Sequence, residues 1–274
     1  LSVHRAGSPS RSTSLDAANP STGMMFTDTH CHIHESGFYE TDREDVYNRA
    51  VAAGVRMICI GTNEEFSRQA TAFVASHDNA WATVGVHPHD VKDGWSDIAR
   101  ILAEKPEKLV GIGEIGLDYF YDNSPRDVQI HALEEQLQLA IDYGLPVSFH
   151  VRSAFDDFWP IFSNFYGLRG VLHSFTDNQA NLEKGLSEGL YIGVNGISTF
   201  TKDESQRRLF STIPLEKMLL ETDAPFLTPT PHRGKVNEPA FVRNVAEYHA
   251  AQRGVELEPL ARVTSTNASQ LFSI

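Results

Sequence analysis

The sequence predicts an α/β protein, a (β/α)8 TIM barrel, and three observations carry that prediction. From Met25 onward, short β-branched runs alternate with longer amphipathic segments, which is the pattern of a parallel sheet wrapped by helices. Eight such runs can be traced: Phe26 to His32, Val55 to Ile60, Ala82 to Val86, Leu109 to Glu114, Pro146 to His150, Gly170 to His173, Leu190 to Val194 and Met218 to Asp223. Eight is the number that closes such a barrel, and 274 residues suffice for one of roughly 250 residues.

The helices follow from spacing and punctuation. Between Arg126 and Tyr143, Ile130, Leu133, Leu137, Ala140 and Ile141 recur at helical intervals. Pro125 marks the first turn after Ser124, and Gly144 supplies the stop. The same reasoning places helices near 42–53, 65–77, 154–165, 178–188, 202–212, 238–252 and 257–271. No internal repeat or interdomain linker interrupts this order, so residues 25–274 read as one domain.

Residues 1–24 are rich in Ser, with Pro, Gly and Asn, and carry Arg5 and Arg11 against a single acid, Asp16. They lack the apolar core of a secretory signal and read as a disordered tail. A basic, Ser-rich organellar presequence is one alternative, and a natural start at Met24 or Met25 is another.

With 41% hydrophobic and 22% charged residues, the composition is that of a soluble globular protein. No stretch approaches the roughly 20 apolar residues of a membrane span. A formal net charge of -13 argues against a broad basic surface for duplex nucleic acid. It leaves room for an enzyme that handles one phosphate at a time, because bound cations reverse a local field. Cys31 and Cys59 are the only cysteines and fall in strand-like runs, so a reducing, cytoplasmic compartment without disulfides is expected. Nothing in the sequence calls for a protein partner, and a monomer is expected.

In such a barrel, chemistry sits at the C-terminal ends of the strands. His30 and His32, one residue apart at the end of the first run, would project from one face of a strand while Cys31 points away. The fourth run closes with Glu114, the fifth with His150, the sixth with His173 and the eighth with Asp223. Taken singly, a histidine at a strand end is more often a hydrogen-bonding residue than a ligand, and a buried Glu114 or Asp223 could equally pair with Arg152 or cap a following helix. Together they form a mixed nitrogen and oxygen set suited to Zn²⁺, Mn²⁺ or Mg²⁺. The set exceeds one tetrahedral shell, which predicts two divalent ions.

The strings DTHCHIHE, VGVHPHD, GEIGLDY, FHVR, LHSFT, ETDAPFL and RGKVNEPAFV, in this order, resemble the TatD family of metal-dependent hydrolases, within the amidohydrolase-like barrels. The resemblance runs from about Phe26 to Phe272. It implies a (β/α)8 barrel with a two-metal centre and 3′ to 5′ exonuclease activity on DNA or RNA. It further implies that His30, His32, Glu114 and Asp223 hold one ion, and that Glu114 bridges to a second held by His150 and His173. His87 matches a family histidine near the substrate. The sequence departs from the family at His34, where an Asp is usual, and at Val236, which interrupts the basic RGKRN loop.

On these residues, Glu114 would bridge and Asp223 would both ligate and take the proton of the attacking water. Arg152, Arg233 and Lys235 are candidate phosphate contacts, each weighed against an ordinary solvated loop. Tyr119, Phe120 and Tyr121 offer a stacking face for a terminal base. Asn195 and Ser174 are weaker candidates. The expected substrate is single-stranded DNA or RNA. A D-aminoacyl-tRNA deacylase using the same centre is the competing enzyme reading, and a metal-binding scaffold the non-enzymatic one.

Overall fold

The computed structural model describes residues 23–274. The tail expected over 1–24 therefore lies, apart from Gly23 and Met24, outside the described residues. Eight parallel strands follow one another around a single sheet in sequence order: β1 (Phe26–Cys31), β2 (Val55–Ile60), β3 (Ala80–Val84), β4 (Leu109–Asp118), β5 (Val147–Arg152), β6 (Gly170–Leu172), β7 (Tyr191–Val194) and β8 (Met218–Leu220). The wrapping helices are α1 (Arg43–Ala52), α2 (Glu64–Ala75), α3 (Asp97–Glu104), α4 (Arg126–Tyr143), α5 (Phe155–Phe162), α6 (Gln179–Ser187), α7 (Ile197–Phe200), α8 (Glu204–Thr212), α9 (Val242–Arg253) and α10 (Leu257–Phe272).

Local chemistry sets several helix starts. Asn63, Asn178 and Asp203 each accept backbone N–H groups of the turn that follows, opening α2, α6 and α8. Gly144 ends α4 in the left-handed conformation, as its position implied. Two helices went unforeseen. In α3 the apolar positions Ile98, Ile101 and Leu102 are buried, but eight residues give the helical period little room to show. In α7 there is a single turn.

The strand ends also differ from expectation. β1, β6 and β8 stop short of His32, His173 and Asp223, because these side chains belong to the loops that leave the barrel. Asp223 itself has a left-handed backbone, φ 57°. β4 instead runs beyond Glu114 to Asp118. Its pairing with β5 slips between Ile112 and Ile115 and then resumes through Gly116 opposite His150 and Asp118 opposite Arg152. Such a bulge re-aims one side chain without ending the ladder. Gly116 is required here, since a Cβ at that position would overlap the His150 carbonyl.

The seam between β8 and β1 closes the barrel. Cys31 and Ala224 form a parallel bridge, Asp223 N–H donates to His30 O at 2.8 Å, and His32 N–H donates to Ala224 O at 2.9 Å. Beneath them the buried Asp28 carboxylate accepts Thr222 N–H at 2.8 Å and the Thr222 hydroxyl at 2.5 Å. Closure and site are thus one event, because the same few residues carry His30, His32 and Asp223 to a common mouth. On the far side, Gln136 of α4 pairs with both backbone groups of Val86, and Gln129 of α4 with both of Asp118. These two buried amides hold the ends of β3 and β4 against the helix layer.

Candidate metal centre

Glu114 occupies the middle of the mouth, and its two oxygens face different histidines. Oε2 lies 3.2 Å from His30 Nε2, while Oε1 lies 2.8 Å from His150 Nδ1. His87 Nε2 and His173 Nε2 lie 3.5 and 3.6 Å from the same Oε1. Burial pushes the Glu114 carboxyl up, but the imidazoles of His173, His87 and His30 and the His150 hydrogen bond outweigh it, and the net shift is well below the ordinary value.

Asp223 joins the cluster from β8. Its Oδ1 stands 3.1 Å from His32 Nε2 and 3.5 Å from His30 Nε2. Burial raises its carboxyl, and the His32 hydrogen bond with the charges of His173, His30 and His32 more than reverses this. His30 stacks on His173 with centroids 3.4 Å apart and planes 12° from parallel. Burial first, then the facing His173, hold His30 below its ordinary value. His173 rises to about 9 against the cost of burial, through Glu221 and Glu114.

The donor set fits divalent cations. Ligand atoms of His30, His32 and Glu114, of His30, His173 and Asp223, and of His87, Glu114 and His150 each converge within 4.8 Å of one another. His30 Nε2 is buried with no hydrogen-bond partner, although carboxylate oxygens lie 3.2 and 3.5 Å away. A buried nitrogen left unpaired between two carboxylates is costly unless something else satisfies it.

A cavity of about 480 Å³ opens over this cluster, within the range of small-ligand sites. Of the residues singled out from sequence, His32, His87, Glu114, His150, Arg152, His173 and Asp223 line it, while His30 lies beneath with no exposed surface. Arg233 and Lys235 do not line it. Arg233 stacks 3.7 Å over Phe200 and donates to Thr228 O, and Lys235 contributes its carbonyl to the Thr228 hydroxyl. His34 is buried with both ring nitrogens unpaired, its ring 6.4 Å from His32 and outside the cavity lining.

Three carboxylates that sequence reasoning passed over, together with His89, surround the histidines. Asp118 Oδ2 accepts from His150 Nε2 at 2.8 Å and His89 Nε2 at 3.0 Å. Glu221 Oε1 lies 2.9 Å from His173 Nδ1, and Glu35 Oε1 lies 3.0 Å from His32 Nδ1. Glu221 precedes Asp223 by two and His89 follows His87 by two, but both pairs lie beyond the ends of β8 and β3, so a strand period does not single them out. His87 is held differently, since its Nδ1 accepts the backbone N–H of His89 at 3.0 Å. In a neutral ring the proton then sits on Nε2, and burial keeps that ring well below its ordinary value.

Fold and site together define a class: a (β/α)8 barrel enzyme built around a divalent-cation centre at the C-terminal mouth. The comparisons narrow it. The family model described as TatD related DNase matches residues 27–273, so the chain belongs to the TatD family of metal-dependent hydrolases. It is 35% identical to the metal-dependent hydrolase YabD of Bacillus subtilis, across 91% of this chain and 100% of that one. It is 38% identical to the 3′-5′ ssDNA/RNA exonuclease TatD of Salmonella typhimurium, across 87% of this chain and 96% of that one. Among solved structures, the TatD homolog YjjV of Escherichia coli superimposes with a TM-score of 0.84 at 30% identity, across 91% and 98% of the two chains. Among the described residues, no helix is long and apolar enough to cross a membrane.

Proposed function

We propose that this hydrolase is a 3′-5′ exonuclease that removes mononucleotides from single-stranded DNA or RNA with two divalent ions, one held by His30, His32, Glu114 and Asp223 and the other by Glu114, His150 and His173. The observation that carries the two-ion reading is Glu114, whose Oε2 faces His30 while Oε1 faces His150. The likeness to the 3′-5′ ssDNA/RNA exonuclease of Salmonella supports the substrate. When bound, such ions lower the pKa of a coordinated water and neutralise charge on phosphoryl oxygens; Zn²⁺, Mn²⁺ and Mg²⁺ all suit the donors.

The chain's own residues supply the rest. Asp223 is the partly open carboxylate of the cluster, its side chain 18% exposed. It takes the proton from the water that attacks phosphorus, while the P–O3′ bond breaks and the shortened strand leaves through its 3′ oxygen. His87, with its proton on Nε2, donates a hydrogen bond to that oxygen as negative charge develops. Among the described residues Arg152 is the one lysine or arginine lining the cavity, and it contacts the flanking phosphate. Its guanidinium is braced 4.2 Å over Phe120 and 5.0 Å over Tyr121. Exposed Phe226, which also lines the cavity, offers a further face for a terminal base.

A single domain over 25–274, acting as a monomer in the cytoplasm, belongs to the same proposal. The free, buried Cys31 and Cys59 support the reducing compartment. The test is a 5′-labelled single strand incubated with metal-free and with Mn²⁺-, Mg²⁺- or Zn²⁺-loaded protein. A ladder shortening from the 3′ end only with metal is expected; strands left intact by every loaded form would refute the activity. The single lining cation also suits a small ester, so hydrolysis of a D-aminoacyl-tRNA in the same assay would favour the deacylase reading.

A further inference from the structure

We infer that Asp118 is a positioning residue for the metal centre: it fixes which nitrogen of His150 faces Glu114, and it needs both carboxylate oxygens to do so. A cation can bind only the ring nitrogen that carries no proton, so whatever holds the other nitrogen selects the ligand atom. Both nitrogens of His150 face a carboxylate oxygen, and a cation held beside Glu114 would leave the proton to the nitrogen that faces Asp118. Nε2 meets Asp118 Oδ2 at 2.8 Å, and Nδ1 meets Glu114 Oε1 at 2.8 Å. Asp118 is buried, with 0% exposure, and its other oxygen is also engaged. Oδ1 accepts the backbone N–H groups of Phe120 at 3.1 Å and Tyr121 at 3.0 Å.

His89 Nε2 also lies 3.0 Å from Oδ2, so nitrogens face both oxygens of Asp118, and with the proton of His150 on Nε2 each oxygen accepts. An amide in its place must turn its NH₂ toward one of those sets. If it faces His150 it donates to Nε2, which drives the proton onto Nδ1 and removes the ligand atom. If it faces the loop, it meets the N–H groups that set the rim carrying Phe120 and Tyr121.

Glu221 shows why this is a property of Asp118 and not of any buried carboxylate in the ring. Ser174 N–H at 2.7 Å, Asn195 Nδ2 at 3.2 Å and His173 Nδ1 at 2.9 Å all converge on Glu221 Oε1. Glu221 Oε2 is buried with no hydrogen-bond partner. A glutamine there can keep its carbonyl oxygen on the two groups that donate to it, Ser174 N–H and Asn195 Nδ2, and place NH₂ where Oε2 stands. Both carboxylates face a histidine, but His150 Nε2 is hydrogen-bonded to Asp118 whereas His173 Nδ1 has no hydrogen-bond partner.

The inference rests on the metal-centre reading above and is independent of which substrate is cleaved. Zinc affinity and stoichiometry, measured by competition with a chromogenic chelator and by elemental analysis after dialysis, read it directly. Asp118→Asn is expected to weaken one of two zinc ions by at least about tenfold, with Glu221→Gln losing a smaller factor. Asp118→Asn within threefold of wild type, or Glu221→Gln losing as much, would overturn the assignment. Wild-type protein that binds no zinc would overturn the metal-centre reading as well. Nitrogen-15 NMR of zinc-loaded wild type needs no variant: a protonated His150 Nε2 is expected, and a protonated Nδ1 would overturn the inference.

Discussion

The two ends of the barrel bury polar groups in opposite ways. At the base, half-buried Arg56 of β2 donates to the Thr27 hydroxyl, to Ser265 O and to the Ser269 hydroxyl at 2.8, 2.9 and 2.6 Å. Ser265 in turn donates to Met25 O, and Asn267 of α10 closes on Leu215 O and Met218 O. These partners tie α10 across the start of the sheet. At the mouth, His30 Nε2, His34, His173 Nδ1 and Glu221 Oε2 are buried without hydrogen bonds. An unpaired buried polar atom costs of order 1–3 kcal/mol. The base spends its polar groups on stability, whereas the mouth holds them in reserve for a ligand.

The largest expected effect breaks the mouth alone. Glu114→Gln should lower kcat by roughly 10³-fold, as loss of a central electrostatic group does, while the melting temperature holds or rises; equal loss of fold and activity would erase the distinction between the ends. Next comes acid. His249 is buried, pairs with the Ser198 hydroxyl at 2.9 Å, and is pushed down to about 3 by burial and by Arg253. The unfolded chain takes up this proton near pH 6.5 and the folded chain does not. Stability is therefore intact above that pH and falls as pH drops toward 3. Urea titrations should show His249→Gln flattening this slope by about 3 kcal/mol between pH 7 and pH 4; a slope unchanged by the substitution would sink the idea.

Arg56→Met tests the base and should cost about 2 kcal/mol of unfolding free energy, with kcat/KM of the folded fraction unchanged. A kinetic effect there would mean that the two ends are coupled. The smallest effect is predicted for Arg233→Ala. Because its guanidinium lies on Phe200 outside the cavity, KM for an oligonucleotide should move by less than about threefold, with a stability loss of about 0.5–1 kcal/mol. A tenfold rise in KM would return Arg233 to the substrate path.

The histidines were legible because each ends a recognisable apolar run, and period two placed His30 and His32 together. Asp118 and Glu221 were not, since a carboxylate that serves a histidine carries no signal until the histidine's free nitrogen is located in space. The extra pairs of β4 escaped notice for a related reason: Gly113 and Glu114 read as a strand end, whereas they are a bulge within a longer ladder.

By itself the sequence determined the barrel, the order of its strands and the residue types at their ends, because periodicity and punctuation are local properties of the chain. Tertiary structure alone decided which nitrogen each imidazole turns inward, that Arg152 reaches the cavity while Arg233 and Lys235 do not, and that buried polar atoms are left unpaired at the mouth. Those choices depend on neighbours up to two hundred residues away, brought together only when Asp28 and Thr222 close the seam.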